Sequence, residues 1–202
     1  MSFPDPDSLA WDATTGLLPV IVQDADTLRV LMLAYMDRAA LRTTRETGNV
    51  SFFSRSRQRA WTKGESSGNF LVLVSIEADC DADTLLVQAR PQGPTCHLDR
   101  TSCFATASGN FVAELDALVA SRERERPAGS YTSHLFDGGI RRIAQKVGEE
   151  GVETALAAVA EDDDALAGEA ADLIFHLLVL LRARGLSLDA AVAVLRHRHA
   201  GD

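Results

Sequence analysis

The apolar positions in the first half of the chain fall into short runs separated by turn formers. LPVIVQ and LRVLMLAYM flank the break DAD, a pattern that predicts two strands joined by a hairpin-like turn. MDRAALRTTRETG predicts a helix, with Asp37 near its start and Gly48 at its end. NVSFFSR and NFLVLVSIEA, rich in Val, Phe and Ile, predict further strands. TLLVQARPQGP predicts another, stopped by Pro91 and the Gly93-Pro94 turn. The breaks between these strands are mostly short, so the first half is expected to be an α+β domain with a mainly antiparallel sheet.

The pattern changes near ASGN, residues 107–110, and no convincing strand follows. FVAELDALVASRERER has helical spacing, with Phe111, Leu115, Leu118 and Val119 on one side. RPAGS reads as a loop and GGIRRIAQKVGEEGVETALAAVA as a long helix. Asp162, Asp163 and Asp164 form an acidic N-terminal signal for ALAGEAADLIFHLLVLLRARG, which Gly185 stops. Ser187 is placed to cap a last helix running to about His199. The second half is therefore expected to be an all-α domain of about four helices. The expected division is residues 1–107 and 108–202.

Composition narrows the partners. The chain has 202 residues and a formal net charge of −9. That charge argues against non-specific nucleic-acid binding, which needs a basic surface. A phosphate ligand remains possible, but an anionic protein needs local Lys, Arg or metal to hold one. The opening MSFPDPDSLAW lacks the apolar stretch of a signal peptide. The longest apolar run, LIFHLLVLL, is too short to span a bilayer and is broken by His176. A cytoplasmic protein with no membrane partner is the expectation. Three cysteines do not make a disulfide framework and read as buried thiols or metal ligands.

Three stretches of the first half carry candidate chemistry. ADCDADTLL sets Asp79, Asp81 and Asp83 two residues apart. In an extended segment they would share one side, with Cys80 on the other, and would repel unless a cation lay between them. Asp is also common in solvated turns. Apolar strands on either side predict partly desolvated carboxylates, which suits a hard divalent ion such as Mg²⁺. GPTCHLDRTSC holds Cys96, His97 and Cys103. Free cysteines usually behave as small hydrophobes. As thiolates, three of them would bind zinc and leave a fourth tetrahedral position open, with His97 beside a ligand as a candidate base. WTKGESSGN offers Lys63 as a point charge, Gly64 and Gly68 for unusual backbone, and Ser66 and Ser67 hydroxyls. Trp61 could stack on a base, although a Gly/Ser loop is usually only a loop. Upstream, SRSR would place Arg55 and Arg57 on one face of an extended segment, suiting a phosphate or a solvated edge strand.

The helical half has the clearest spacing. Glu150 and Glu153 are three apart, as are Glu169 and Asp172, so each pair shares a helix face. Two facing helices could then point four carboxylates at one spot, with Glu149 adjacent. Glu is most often solvated helix surface. Asp172 fits that description poorly, because residues 170–181 are apolar apart from Asp172 and His176. Gly148 and Gly151 lie mid-helix and suggest close approach by another backbone or a ligand.

Taken in order, FFSRSRQRAWTKGESSGN, DCDADTLL, GPTCHLDRTSCF, SYTSHLF, RIAQKVGEEGVETALAA and EAADLIFHLLVLL resemble the bifunctional histidine-biosynthesis enzymes. In these, phosphoribosyl-AMP cyclohydrolase is fused to phosphoribosyl-ATP pyrophosphohydrolase. The resemblance covers nearly the whole chain and departs at Phe52-Phe53. It implies zinc at Cys80, Cys96 and Cys103, Mg²⁺ at Asp79, Asp81 and Asp83, and a catalytic base at His97. It implies a dimeric cyclohydrolase whose zinc site draws cysteines from both subunits. In the second half, Glu150, Glu153, Glu169 and Asp172 match the E-x-x-E … E-x-x-D pattern of MazG-like all-α pyrophosphohydrolases, which bind Mg²⁺ there. On this reading Glu150 and Glu153 are catalytic, and Lys146 helps hold phosphate. Arg55, Arg57, Trp61, Lys63, Gly64, Ser67 and Gly68 bind the substrate of the first domain. Two rivals are a house-cleaning nucleoside triphosphate pyrophosphatase fused to a zinc-dependent purine hydrolase, and a non-enzymatic metal-binding dimerisation protein.

Overall fold

The computed structural model describes residues 3–200. The chain divides into two compact units, the first ending at Asn110 and the second beginning at Phe111. The first unit contains β1 (Leu18–Asp24), β2 (Val30–Met36), α1 (Arg38–Thr47), β3 (Ser51–Ser54), β4 (Arg59–Thr62), β5 (Leu71–Ala78) and β6 (Leu85–Pro91). The second contains α2 (Phe111–Glu125), α3 (Tyr131–Asp137), α4 (Gly139–Ala160), α5 (Asp163–Ala183) and α6 (Leu188–His199).

Four strands form one sheet in the order β2-β1-β6-β5. The outer pairs β1–β2 and β5–β6 are antiparallel, and the central pair β1–β6 is parallel. The sheet is thus mainly antiparallel, as the runs predict. One face is apolar: Val20 and Val22 of β1, Leu31 of β2 and Val87 of β6 are fully buried, together with Leu41 of α1. The other carries a polar ladder, Ser75 to Gln88 at 3.0 Å and Gln88 to Gln23 at 3.2 Å. α1 is capped as its ends predict. Asp37 accepts from the Ala40 N–H, and Gly48 closes the helix at φ 72°.

β4 has no apolar signature and was not expected. Its sequence RAWT is held by pairing with β3, Phe52 opposite Trp61 and Ser51 opposite Thr62, whose hydroxyls lie 2.8 Å apart. Strand pairing overrides a weak local pattern here. One consequence is that residues 55–58 form the turn of a hairpin and not an extended edge.

Among the described residues the helical unit has five helices, one more than expected. α3 is only seven residues long, too short to show a period, and Ser130 caps it by accepting from Ser133 N–H. Glu161 and Asp162 join α4 to α5, and the core gathers Val119, Leu135, Phe136, Ile143, Leu178 and Val179. The expected apolar side of α2 is corrected. Phe111 and Leu118 are exposed, while Val112, Leu115 and Val119 face the core. α2, α5 and α6 are pinned by one buried carboxylate. Asp116 accepts from Arg182 at both oxygens, one bond being 2.9 Å, and also from the Leu188 N–H at 3.3 Å. Asp116 therefore does the capping expected of Ser187, whose side chain makes no cap bond.

Candidate active sites

The loop after β6 folds back onto the start of β2. Cys103 N–H donates to the Leu31 carbonyl at 2.8 Å, and the buried Ser102 hydroxyl donates to Val30 at 2.8 Å. Cys96 N–H donates to the Arg100 carbonyl at 2.9 Å. These bonds bring Cys96 and Cys103 side by side. A hydrogen bond from the Leu98 backbone N–H holds the Cys96 thiol below its ordinary range, with help from Arg100 and Cys103 and against burial. Burial pushes Cys103 up, and its neighbour Cys96 adds to the effect. Two neighbouring cysteine sulfurs form a soft donor pair that fits zinc.

These cysteines line a cavity of about 720 Å³. Arg57, Arg59 and Lys63 face it, along with exposed His97 and half-buried Trp61. None of the three cations has a carboxylate within ion-pair distance among the described residues. The turn WTKGESSGN contributes Gly64 and Ser67 to the wall, whereas Gly68 is not part of it. Gly64 is obligatory: at φ 93° an added Cβ would lie 2.6 Å from the backbone of Asn69 and Phe70. Arg55 is corrected. It does not share a face with Arg57 but stacks on Tyr35, 3.8 Å from the ring centroid, beside a second cavity.

Asp79, Asp81 and Asp83 sit in the turn between β5 and β6. The turn is tight, not extended. Asp79 N–H donates to the Thr84 carbonyl at 3.1 Å, and Ala82 adopts φ 60°. Folding of the turn, not strand alternation, brings one oxygen of each carboxylate within 4.8 Å of the others. All three are exposed, so the expected desolvation is absent in the single chain. Hard oxygen donors converging in this way fit Mg²⁺. Cys80 lies in this turn, at the opposite end of β6 from Cys96 and Cys103. Seven strand residues separate the two ends by roughly 20 Å, and the three cysteines do not cluster within one chain.

In the helical unit, Glu150, Glu169 and Asp172 bring carboxylate oxygens within 4.8 Å of one another. α4 and α5 present them face to face, as the three-residue spacing predicts. Glu153 follows one turn after Glu150 on the same helix and is exposed, outside that group of three. Burial raises the carboxyl of Glu169, and the charges of Glu153, Glu150 and Asp172 raise it further. Such crowding suits a cation at the centre. Lys146 ties the near side, its ammonium 2.7 Å from Glu150 and 3.1 Å from Glu149. That contact holds Glu150 below the usual carboxylate range and pushes Lys146 well up. Buried His176, not expected among the site residues, supports the cluster. Its Nδ1 is 2.9 Å from the Asp172 carbonyl and 3.6 Å from Glu150, and Nε2 is 3.1 Å from the Tyr131 hydroxyl. A carbonyl can only accept, so Nδ1 carries a proton. The stripe Glu169, Asp172, His176 was a visible signal for it. Tyr131 lies in the motif SYTSHLF, but no periodicity pointed it at this site, because it belongs to the unpredicted α3.

Two expectations for these helices are corrected. Asp172 is exposed, because neighbouring Ile174 and Leu177 are themselves exposed in the single chain and make no core around it. A Cβ at Gly148 would meet nothing within 4 Å, and one at Gly151 would meet only Leu173 at 4.0 Å. No other backbone crowds either glycine.

Fold and sites together define a two-domain hydrolase, with a thiol-bearing cationic cavity in an α+β unit and a carboxylate cluster in a helical one. Residues 32–105 match phosphoribosyl-AMP cyclohydrolase, and residues 112–199 match phosphoribosyl-ATP pyrophosphohydrolase. A histidine biosynthesis bifunctional protein of Xanthomonas axonopodis pv. citri is 71% identical over 192 residues, 95% of this chain and 93% of its own. Its counterparts in Escherichia coli K12 and Yersinia pestis are 55% and 53% identical, each over 193 residues and 95% of both chains. The chain belongs to the family of bifunctional histidine-biosynthesis proteins that join these two hydrolases.

Proposed function

We propose that the helical unit, from Phe111 onward, cleaves phosphoribosyl-ATP to phosphoribosyl-AMP and pyrophosphate. The unit ending at Asn110 then opens the adenine ring of that product between N1 and C6. The observation that carries this reading is the presence, in separate units of one chain, of a cationic cavity bearing thiols and an independent carboxylate cluster.

In the helical unit, Glu150, Glu153, Glu169 and Asp172 would hold Mg²⁺. When bound, that ion neutralises phosphate charge that the carboxylates would otherwise repel. Glu153, exposed beside Glu150, is placed to take a proton from the water that breaks the bond between α- and β-phosphates. Lys146 keeps Glu150 ionised and aimed at the cluster, and its remaining N–H serves phosphate.

In the first unit, Arg57, Arg59 and Lys63 supply the cations that anchor a phosphate, and Trp61 offers a face to the purine. Cys96 and Cys103 would hold zinc, which when bound would make the water that adds to adenine C6 more acidic. His97 takes a proton from the water that adds at C6. The C6–N1 bond then breaks, and N1 receives a proton. One chain supplies two thiols, and a third comes from Cys80 of a second copy, which makes a homodimer the working unit. Asp79, Asp81 and Asp83 would hold Mg²⁺ and reach the substrate phosphate across that same interface. No described helix is long and apolar enough to cross a membrane, and reduced cysteines suit the cytoplasm.

The test is to incubate the protein with phosphoribosyl-ATP, with and without a chelator. Pyrophosphate release and the ultraviolet change of ring opening are followed separately. Both activities are expected, and both fall with the chelator. Cys96→Ser should abolish ring opening and spare pyrophosphate release, and Glu153→Gln should do the reverse. Equal loss of both activities in either variant would rule out two independent sites. Strong turnover of ordinary nucleoside triphosphates would favour a house-cleaning pyrophosphatase.

A further inference from the structure

Beside the thiol-bearing cavity lies a second one of about 580 Å³. The two share Met32, Ser54, Ser56 and Trp61 as a common wall. No cysteine lines the second cavity. Its one charged side chain is Arg55, whose guanidinium carbon lies over the Tyr35 ring, 3.8 Å from the centroid. An arginine stacked on a ring keeps the N–H edge of its guanidinium directed outward, in the fork that matches a phosphate. That edge is uncommitted. Among the described residues Arg55 makes no ion pair, and its only hydrogen bond is through its own carbonyl, which accepts from Gln58. Among the described residues the Tyr35 hydroxyl has no hydrogen-bond partner either. Neutral Ser54 and Ser56 hydroxyls, 3.4 Å apart, complete a polar rim.

A substrate with two phosphates explains two adjacent cationic cavities. Phosphoribosyl-AMP carries one ribose 5′-phosphate on N1 and another on N9. The carbon under attack, C6, is bonded to N1 and must lie by Cys96 and Cys103. The N1 arm therefore begins inside the first cavity, where Arg57, Arg59 and Lys63 await its phosphate. The N9 arm leaves from the far ring of the purine, away from the thiols. We propose that the Arg55–Tyr35 cavity is the subsite for the N9 phosphate, with Trp61 in the shared wall against the purine. The assignment rests on the ring-opening reading above. It makes Arg55 and Tyr35 determinants of specificity for a bis-phosphorylated nucleotide.

AMP carries only the N9 arm, so it is the probe. In the full-length, metal-loaded protein, Arg55→Gln should raise KM for phosphoribosyl-AMP about ten- to hundredfold, the loss of a charge-assisted pair. It should leave kcat nearly unchanged, because the contact is the same in ground and transition states. Competitive inhibition by AMP should weaken by the same factor. Arg55→Lys, which keeps the charge without the fork, should fall between. Zinc content and pyrophosphate release by the helical unit serve as folding checks and should not move.

An unchanged KM in Arg55→Gln overturns the proposal. So does a raised KM with unchanged AMP inhibition, which would place the N9 arm elsewhere. Conversion of the variant to monomers in sedimentation also overturns it, since Arg55 would then be an interface residue. A wild-type protein that fails to open the ring at all would instead sink the parent reading, and is seen before any variant is made.

Discussion

Glu169 concentrates the electrostatics of the helical site. Its folded pKa is raised above the ordinary 4.5 by burial and by four neighbouring carboxylates, Glu153, Glu150, Asp172 and Glu161. A raised acid binds its proton more tightly when folded. Its contribution to stability is therefore complete below the unfolded value and is lost as pH climbs through the folded one. Glu149 and Glu150 are lowered and stay ionised above 4.5, so they do not mask the change. In chelator, Glu169→Gln should melt above the wild type at neutral pH, and the gap should close toward pH 4.5. Scanning calorimetry across that range checks the sign. Added Mg²⁺ should raise the wild-type Tm and leave the variant nearly unmoved. The spacing of Glu169 and Asp172 was legible because helical period alone decides which side chains share a face. The support from Tyr131 was not, because it arrives through a hydrogen bond to His176 from a helix remote in sequence.

At the level of elements, side chains far apart in sequence take over tasks assigned to local ones. Asp116 on α2 accepts from Arg182 on α5 and from the first N–H of α6, so three helices depend on one carboxylate. Removing one partner of such a pair strands the other charge. Asp116→Ala should destabilise the helical unit by about 3 kcal/mol. Adding Arg182→Met to that variant should cost little more, because the pair acts as one unit. Urea unfolding followed by helix signal measures both. A larger second loss would show that Arg182 holds something else. The strands were readable as apolar runs, and the α1 caps as Asp37 and Gly48. β4 was not, since RAWT becomes a strand only because β3 offers it a ladder. That pairing also turns SRSR into a hairpin turn and sends Arg55 and Arg57 to different cavities.

The whole molecule holds two sites in two separately packed units. If the intermediate leaves one site and diffuses to the other, two inactive chains should complement each other. A mixture of Cys96→Ser and Glu153→Gln proteins should carry phosphoribosyl-ATP through to the ring-opened product, although neither does so alone. Coupled assays of pyrophosphate and ultraviolet change follow this directly. Failure of the mixture would show that the two steps require intact sites on one chain.

The sequence by itself determined the two-part architecture, most strands and helices, and the residue types at each site. Those features depend on periodicity and donor chemistry, which are local. Only the tertiary structure decided which donors meet. It gathers three aspartates by a turn, where an extended segment had been expected, and it sets Cys80 at the far end of a strand from Cys96 and Cys103. The physical reason is that a donor's identity is written in one residue, while its neighbours are set by how strands pair and chains cross.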